Sequence, residues 1–164
     1  MILRPSSADL WYHCPAQPAV AAKVPEQPTS EAAMEGTCAA WLAEMVLTNQ
    51  AANCGELLGE KCPDNGFVVD LAMTHYIQKY VELIQSYGGS MSVERRVRLT
   101  QMIEGTPDAY AVAVNRTLIV DDLKYGFKIV EPTSKQVVTY GGGILNELDN
   151  QGIKIDTVIL GIYQ

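Results

Sequence analysis

Two short β-rich runs, residues 108–114 and 117–124, meet at Asn115–Arg116, and the second holds two adjacent aspartates behind Leu118-Ile-Val. No other feature of this 164-residue chain restricts its fold as much. Runs rich in Val, Ile, Thr and Tyr around a short polar turn predict a β-hairpin. Side chains alternate along a strand, so Asp122 and Lys124 point to one face while Asp121 and Leu123 point to the other. Asp108 opens the neighbouring strand and is placed to stand beside Asp122.

The rest of the chain frames that hairpin. Ala, Leu, Met and Glu over residues 30–49, with Thr29 or Ser30 as cap, predict a helix. Residues 53–66, broken by glycines and a proline, read as irregular. Met73, Ile77, Tyr80, Val81 and Ile84 recur at helical spacing within 67–87, and Gly88–Gly89 end that helix. Residues 91–99 alternate like a strand with one wet face, 134–149 read as a third helix and 155–163 as a last strand. Four prolines within 15–28 predict a loop that is neither helix nor central strand. The order α-α-β-β-β-α-β gives an α/β (α+β) fold, with a mixed central sheet flanked by helices in one domain over 1–164.

Composition bounds the function. With 48% hydrophobic and 19% charged residues the chain can build a core, which excludes wholesale disorder. The longest apolar run, 109–114, is far too short for a membrane span, so no membrane partner is expected. Residues 1–13 carry no charged-then-apolar leader, and the four cysteines form no CxxC pair. Both point to reduced thiols in a cytoplasmic protein. A zinc site from Cys14, Cys54, Cys62 and His13 or His75 lacks any recognised spacing. The net charge of −7 does not advertise a nucleic-acid binder, yet Arg95, Arg96, Arg98 and Arg116 gather in the second half, where an anion would bind. A solvated strand face has the same composition.

Asp108 and Asp122 converging at a sheet end make a hard-oxygen site suited to Mg²⁺ or Mn²⁺. Lys124, two residues on, can orient a water and neutralise charge on a phosphate. Acid, acid and lysine in that placement suit phosphodiester cleavage, although an Asp-x-Lys triplet on a wet strand reads the same way.

Gly105-Thr-Pro-Asp108 followed by Asp122-Leu-Lys124-Tyr-Gly126 resembles the core of the PD-(D/E)XK nucleases, in their RecB-like and lambda-type phage exonuclease branch. The resemblance runs from about residue 6 to the C-terminus. Ser6-Ser-Ala-Asp-Leu-Trp-Tyr-His-Cys14-Pro15 resembles the Ser…Cys-Pro entry of such enzymes. Residues 31–47, with Gly36-Thr37 and Glu44, resemble the first helix, whose glutamate faces the metal. Gln136 and Tyr140 resemble the Gln-x-x-x-Tyr of the helix after the catalytic strands. What the resemblance implies is a restriction-endonuclease-like core. Asp108, Asp122, Glu44 and the carbonyl of Leu123 would hold the metal, Lys124 would place the attacking water, and Gln136 and Tyr140 would touch phosphate or position the lysine. Arg95, Arg96, Arg98 and Arg116 would steer DNA.

Three departures accompany the match. Many relatives place a metal-binding histidine where this chain has Ala40. Gly141-Gly-Gly143 interrupt the third helix, each costing about 1 kcal/mol relative to alanine; they either admit close backbone approach or end the helix after Tyr140. The last cysteine, Cys62, precedes the nuclease core, so no iron–sulfur cluster is expected, and Cys14 is expected to pack at a helix end. The chain stops just after residues 158–164, which reads as a minimal or truncated version of the fold. The expected function is a Mg²⁺- or Mn²⁺-dependent deoxyribonuclease, probing as an exonuclease of phage-type recombination or DNA processing. Its partners would be DNA and either further copies of itself or a recombination protein. The alternative is a non-catalytic assembly module or inhibitor that keeps the nuclease fold.

Overall fold

The structure, a computed structural model, describes residues 2–25, 28–126, 129–131 and 133–164. After a 3₁₀ turn at Pro5–Ser7 come α1 (Ala8–His13), α2 (Gln17–Ala21), α3 (Glu31–Leu47) and α4 (Leu71–Ser86). Five strands follow: β1 (Ser90–Val93), β2 (Val97–Thr100), β3 (Ile103–Gly105), β4 (Ala109–Val112) and β5 (Thr117–Leu123). Helix α5 (Lys135–Asn150) then leads into β6 (Thr157–Tyr163).

The main sheet runs β1-β4-β5-β6, with β1, β4 and β5 antiparallel and β6 parallel to β5. A mixed sheet flanked by helices is thus present, and its own elements keep the order α-α-β-β-β-α-β. Helices α3 and α4 cover one face, where Leu42, Met73, Ile77 and Tyr80 are fully buried. Helix α5 covers the other, where Val137, Tyr140 and Ile144 meet Leu118 and Val120. All seven residues of β5 are buried, Asp121 and Asp122 included. No helix among the described residues is long and apolar enough to cross a membrane.

Local chemistry accounts for the long helices. The Ser30 hydroxyl accepts from the Ala33 N–H at 3.2 Å and starts α3. The Asp70 carboxylate accepts from the Met73 N–H at 2.7 Å, so α4 begins at Leu71, four residues later than its apolar periodicity suggests. The hairpin turn falls where expected: Ala113 N–H donates to Thr117 O, and Arg116 takes φ +63°.

Four expectations need correction. Residues 15–28 are not all loop, because α2 lies within them; Pro18 sits in its first turn, where a missing N–H costs nothing. Glu26 and Gln27, in the same segment, lie outside the described residues. Cys14 ends α1 as expected but is exposed rather than packed. Residues 91–99 are not one strand: the chain breaks at Glu94, with φ +47°, and β2 leaves to pair with β3 in a separate two-stranded sheet.

The three glycines do not end α5. A Cβ at Gly141 would lie 2.9 Å from Leu160 Cδ2, and one at Gly143 would lie 3.3 Å from Leu99 N. Their lack of side chains lets the β2 hairpin and β6 close directly on the helix backbone. That packing offsets their low helix propensity.

Candidate active site

Three strands bring acids into one row. In the antiparallel register Val93 faces Ala109 and Ala109 faces Asp121. One step further along, Glu94, Asp108 and Asp122 stand level across β1, β4 and β5. Directly opposed positions in such a ladder hold their Cβ atoms about 5 Å apart. The Glu94 N–H donates to Asp108 O at 3.1 Å, which fixes the first pair. The Leu123 N–H donates to Asp108 Oδ2 at 2.7 Å, which fixes the second.

Asp122 is 2% exposed and lies on the α5 face of the sheet. Its Oδ1 accepts from Gln136 Nε2 at 2.9 Å. Its Oδ2 lies 2.5 Å from Lys124 Nζ in an ion pair but accepts no aligned hydrogen bond. Lys124 is anchored through its N–H to Tyr163 O at 2.8 Å. Gln136 and Tyr140, one turn apart on α5, therefore both face this cluster, as their spacing predicts.

Why glycine stands at the head of Gly105-Thr-Pro-Asp108 is visible in the packing. A Cβ at Gly105 would come within 2.6 Å of Pro5 Cδ and 3.0 Å of Tyr140 Cε1. The N-terminal turn and the α5 tyrosine both close on that position, and Pro107 is buried behind it.

The electrostatics are unbalanced. Desolvation first, and then the Asp122 charge, push the Asp108 carboxyl up to about 7, against the opposing help of the Leu123 N–H. Asp122 is raised by burial, with Lys124 pulling it back down. Partial desolvation and the neighbouring Glu44 charge raise Glu94. Its side chain remains open to solvent, which moderates that rise. Burial pushes the Tyr140 hydroxyl up to about 12. Glu44, half-buried on α3, thus faces Glu94, the acid at the edge of the row.

Sequence reasoning brought Asp108, Asp122, Lys124, Gln136 and Tyr140 together, and the structure places them together. Leu123 is held between the acids, its N–H on Asp108. Glu94 was missed, because the segment around it reads as an uninterrupted wet strand. The register, two positions before the paired arginines and level with Asp108, is the signal that exposes it.

The arginines are engaged elsewhere. Arg95 pairs with Glu147 at 3.0 Å and reaches the Tyr110 hydroxyl; Arg96 and Arg98 both pair with Glu104. Arg116 pairs with Asp156. All four remain substantially exposed, so these are surface pairs of little intrinsic strength.

Among the described residues there is no cluster of three or more His, Cys, Asp or Glu side chains arranged to hold a metal ion. The chemistry of the donor set nonetheless fits a hard divalent cation: two level carboxylates, mutually repelling, with only one lysine against them. A cleft of 970 Å³ opens at Lys124 and Gln136, walled also by Ser6, Asp9, Glu131 and Lys135.

No solved structure matches the chain. A 94-residue stretch is 30% identical to D-ribose pyranase of Edwardsiella ictaluri (strain 93-146), covering 51% of this chain and 68% of that protein. Matched over residues 1–164, the chain belongs to the DUF2800 family, proteins of unknown function.

Proposed function

We propose that this protein is a metal-dependent nuclease of the PD-(D/E)XK type that hydrolyses phosphodiester bonds in DNA. The observation that carries the reading is the Asp108–Asp122–Lys124 arrangement. Two carboxylates on adjacent strands are forced together in a desolvated place, with a lysine on one of them and a cleft at the lysine. Desolvated like charges cost stability and are kept where they do chemistry.

Asp108 and Asp122 would hold Mg²⁺ or Mn²⁺, with the Leu123 carbonyl and Glu44 as further oxygen donors. The bound cation would supply Lewis acidity at a phosphoryl oxygen and acidify a water. Lys124 lies at the mouth of the cleft, where its positive charge can orient that water and stabilise charge on the phosphoryl group. Gln136 holds Asp122 Oδ1, and so keeps the other carboxylate oxygen turned toward Lys124. Tyr140 packs beneath the row and against Gly105, fixing the strand that carries Asp108. Exonucleolytic action in phage-type recombination, and assembly into a ring or with a partner, are the finer parts of this proposal. An acidic chain with paired arginines would need such assembly to hold DNA, since phosphate contacts dominate affinity.

Mn²⁺-dependent degradation of linear DNA, compared with Asp122→Ala, tests the reading. Release of nucleotides by the wild type and none by the variant is the expected result. No degradation, with no divalent metal bound by calorimetry, would favour the non-catalytic module, a reading that the pairing of all four arginines supports. Binding of D-ribose without nuclease action would instead favour a function akin to that of the D-ribose pyranase.

A further inference from the structure

We infer that Glu94 is a fourth cation ligand of this site, supplying the carboxylate at the end of the acid row farthest from Lys124; the inference rests on the metal-dependent reading above. The row itself is the first ground. Glu94 stands level with Asp108, and Asp108 with Asp122, across three hydrogen-bonded strands, so the order along the row is Glu94, Asp108, Asp122 and then the lysine.

The backbone at Glu94 is the second ground. Its φ of +47° lies in the left-handed region that suits glycine and strains a glutamate. Strain of this kind persists where function requires the side chain and the surroundings hold it in place. Here a glycine would satisfy the turn between the two sheets, yet the chain carries an acid.

Charge distribution is the third. No cation pairs with Glu94 among the described residues, whereas the next two residues, Arg95 and Arg96, turn away to Glu147 and Glu104. Glu44 on α3 and Asp108 both lie within reach of its charge. At the other end, Asp122 is 2% exposed with an Oδ2 that accepts no hydrogen bond. Lys124 neutralises one end of the row and nothing neutralises the other. A divalent cation between Glu94, Asp108 and Glu44 would, and it would take the place that relatives fill with a histidine at the position of Ala40.

Chelator-treated protein titrated with Mn²⁺ in a calorimeter tests the inference, with Glu94→Gln, Asp122→Asn and the remote surface variant Glu60→Gln compared. Glu94→Gln should weaken Mn²⁺ binding by ~10-fold or more, since the charge and number of oxygen ligands set affinity. Glu94→Asp should recover part of the loss, and Glu60→Gln should match the wild type. Glu94→Gly relieves the left-handed strain, so it should fold at least as stably while showing the same weakened binding. That variant separates a ligand from a structural residue. Mn²⁺ binding that Asp122→Asn abolishes and Glu94→Gln leaves unchanged would overturn the role of Glu94 alone. No Mn²⁺ binding by the wild type would overturn the metal site itself.

Discussion

Replacing Asp108 by Asn should stabilise the metal-free protein, and the gain should depend on pH. Its carboxyl is raised from the ordinary 3.8 to about 7 by desolvation and by the Asp122 charge. At ~1.4 kcal/mol for each step of one in pKa, ionised Asp108 costs the fold at most about 4 kcal/mol. Partial contact with solvent reduces that figure, and the Leu123 N–H donates more weakly to a neutral amide than to a carboxylate, a loss of about 1 kcal/mol. A net gain of roughly 2 kcal/mol remains, or about 4–8 °C in Tm for a chain of this length. The sign follows from proton binding. Between pH 4 and 7 the folded state holds the Asp108 proton more tightly than the unfolded chain, so wild-type stability falls as pH rises through that window. The Asn variant has no such proton. Its advantage should therefore be full at pH 8 and vanish near pH 4, below the ordinary carboxylate value. Differential scanning calorimetry of both proteins in chelator, from pH 4 to 8, measures it. Added Mn²⁺ should stabilise the wild type at pH 8 and leave the variant unmoved. An Asn variant no more stable than wild type at pH 8, or one whose gain is the same at pH 4, would refute the claim that Asp108 is held against its own charge.

Lys124→Met keeps the apolar stem and removes the charge. Turnover on linear DNA should fall on the order of a hundredfold, and thermal melts should show a loss of roughly 2–3 kcal/mol because Asp122 is left buried without a cation. Gly161→Ala places a Cβ against Asp121 Oδ1, on the face of β5 turned away from Asp122. It should cost ~1–3 kcal/mol in chemical denaturation, and the cost should shrink when combined with Asp121→Ala; equal costs in both backgrounds would mean that the strand absorbs the methyl group by shifting.

Elements whose signal is local could be read from the chain. Period-two alternation with a polar couple between two runs marks β4 and β5, and apolar spacing marks α3, α4 and α5. Elements set by distant partners could not. Helices α1 and α2 are too short to show a period, and the second carries a proline that argues against a helix until its position in the first turn is known. The break between β1 and β2 falls on a glutamate, with no glycine to announce the left-handed turn. Only the pairing of Val93 with Ala109 on one side, and of Val97 with Gly105 on the other, shows that two sheets separate there. Gly141-Gly-Gly143 carries the opposite lesson. Their propensity argues for a broken helix, and the close approach of Leu99 and Leu160 keeps it whole.

The site divides along the same line. Asp108, Asp122 and Lys124 lie within one hairpin, so alternation alone sets two of them on one face and the third beside them. Gln136 and Tyr140 needed only a helical period. Glu94 joins the row through a strand pairing between segments that share no local pattern, so its place emerges only with the sheet. The arginines show the same limit. Their clustering in the second half is plain, but Glu147 lies 52 residues from Arg95, and no local rule couples the two. Such exposed pairs contribute about 0–1 kcal/mol each. A phosphate backbone brought to this face can therefore exchange for Glu104, Glu147 or Asp156 at small cost, and the arginines that hold the surface together without DNA are the same groups available to it.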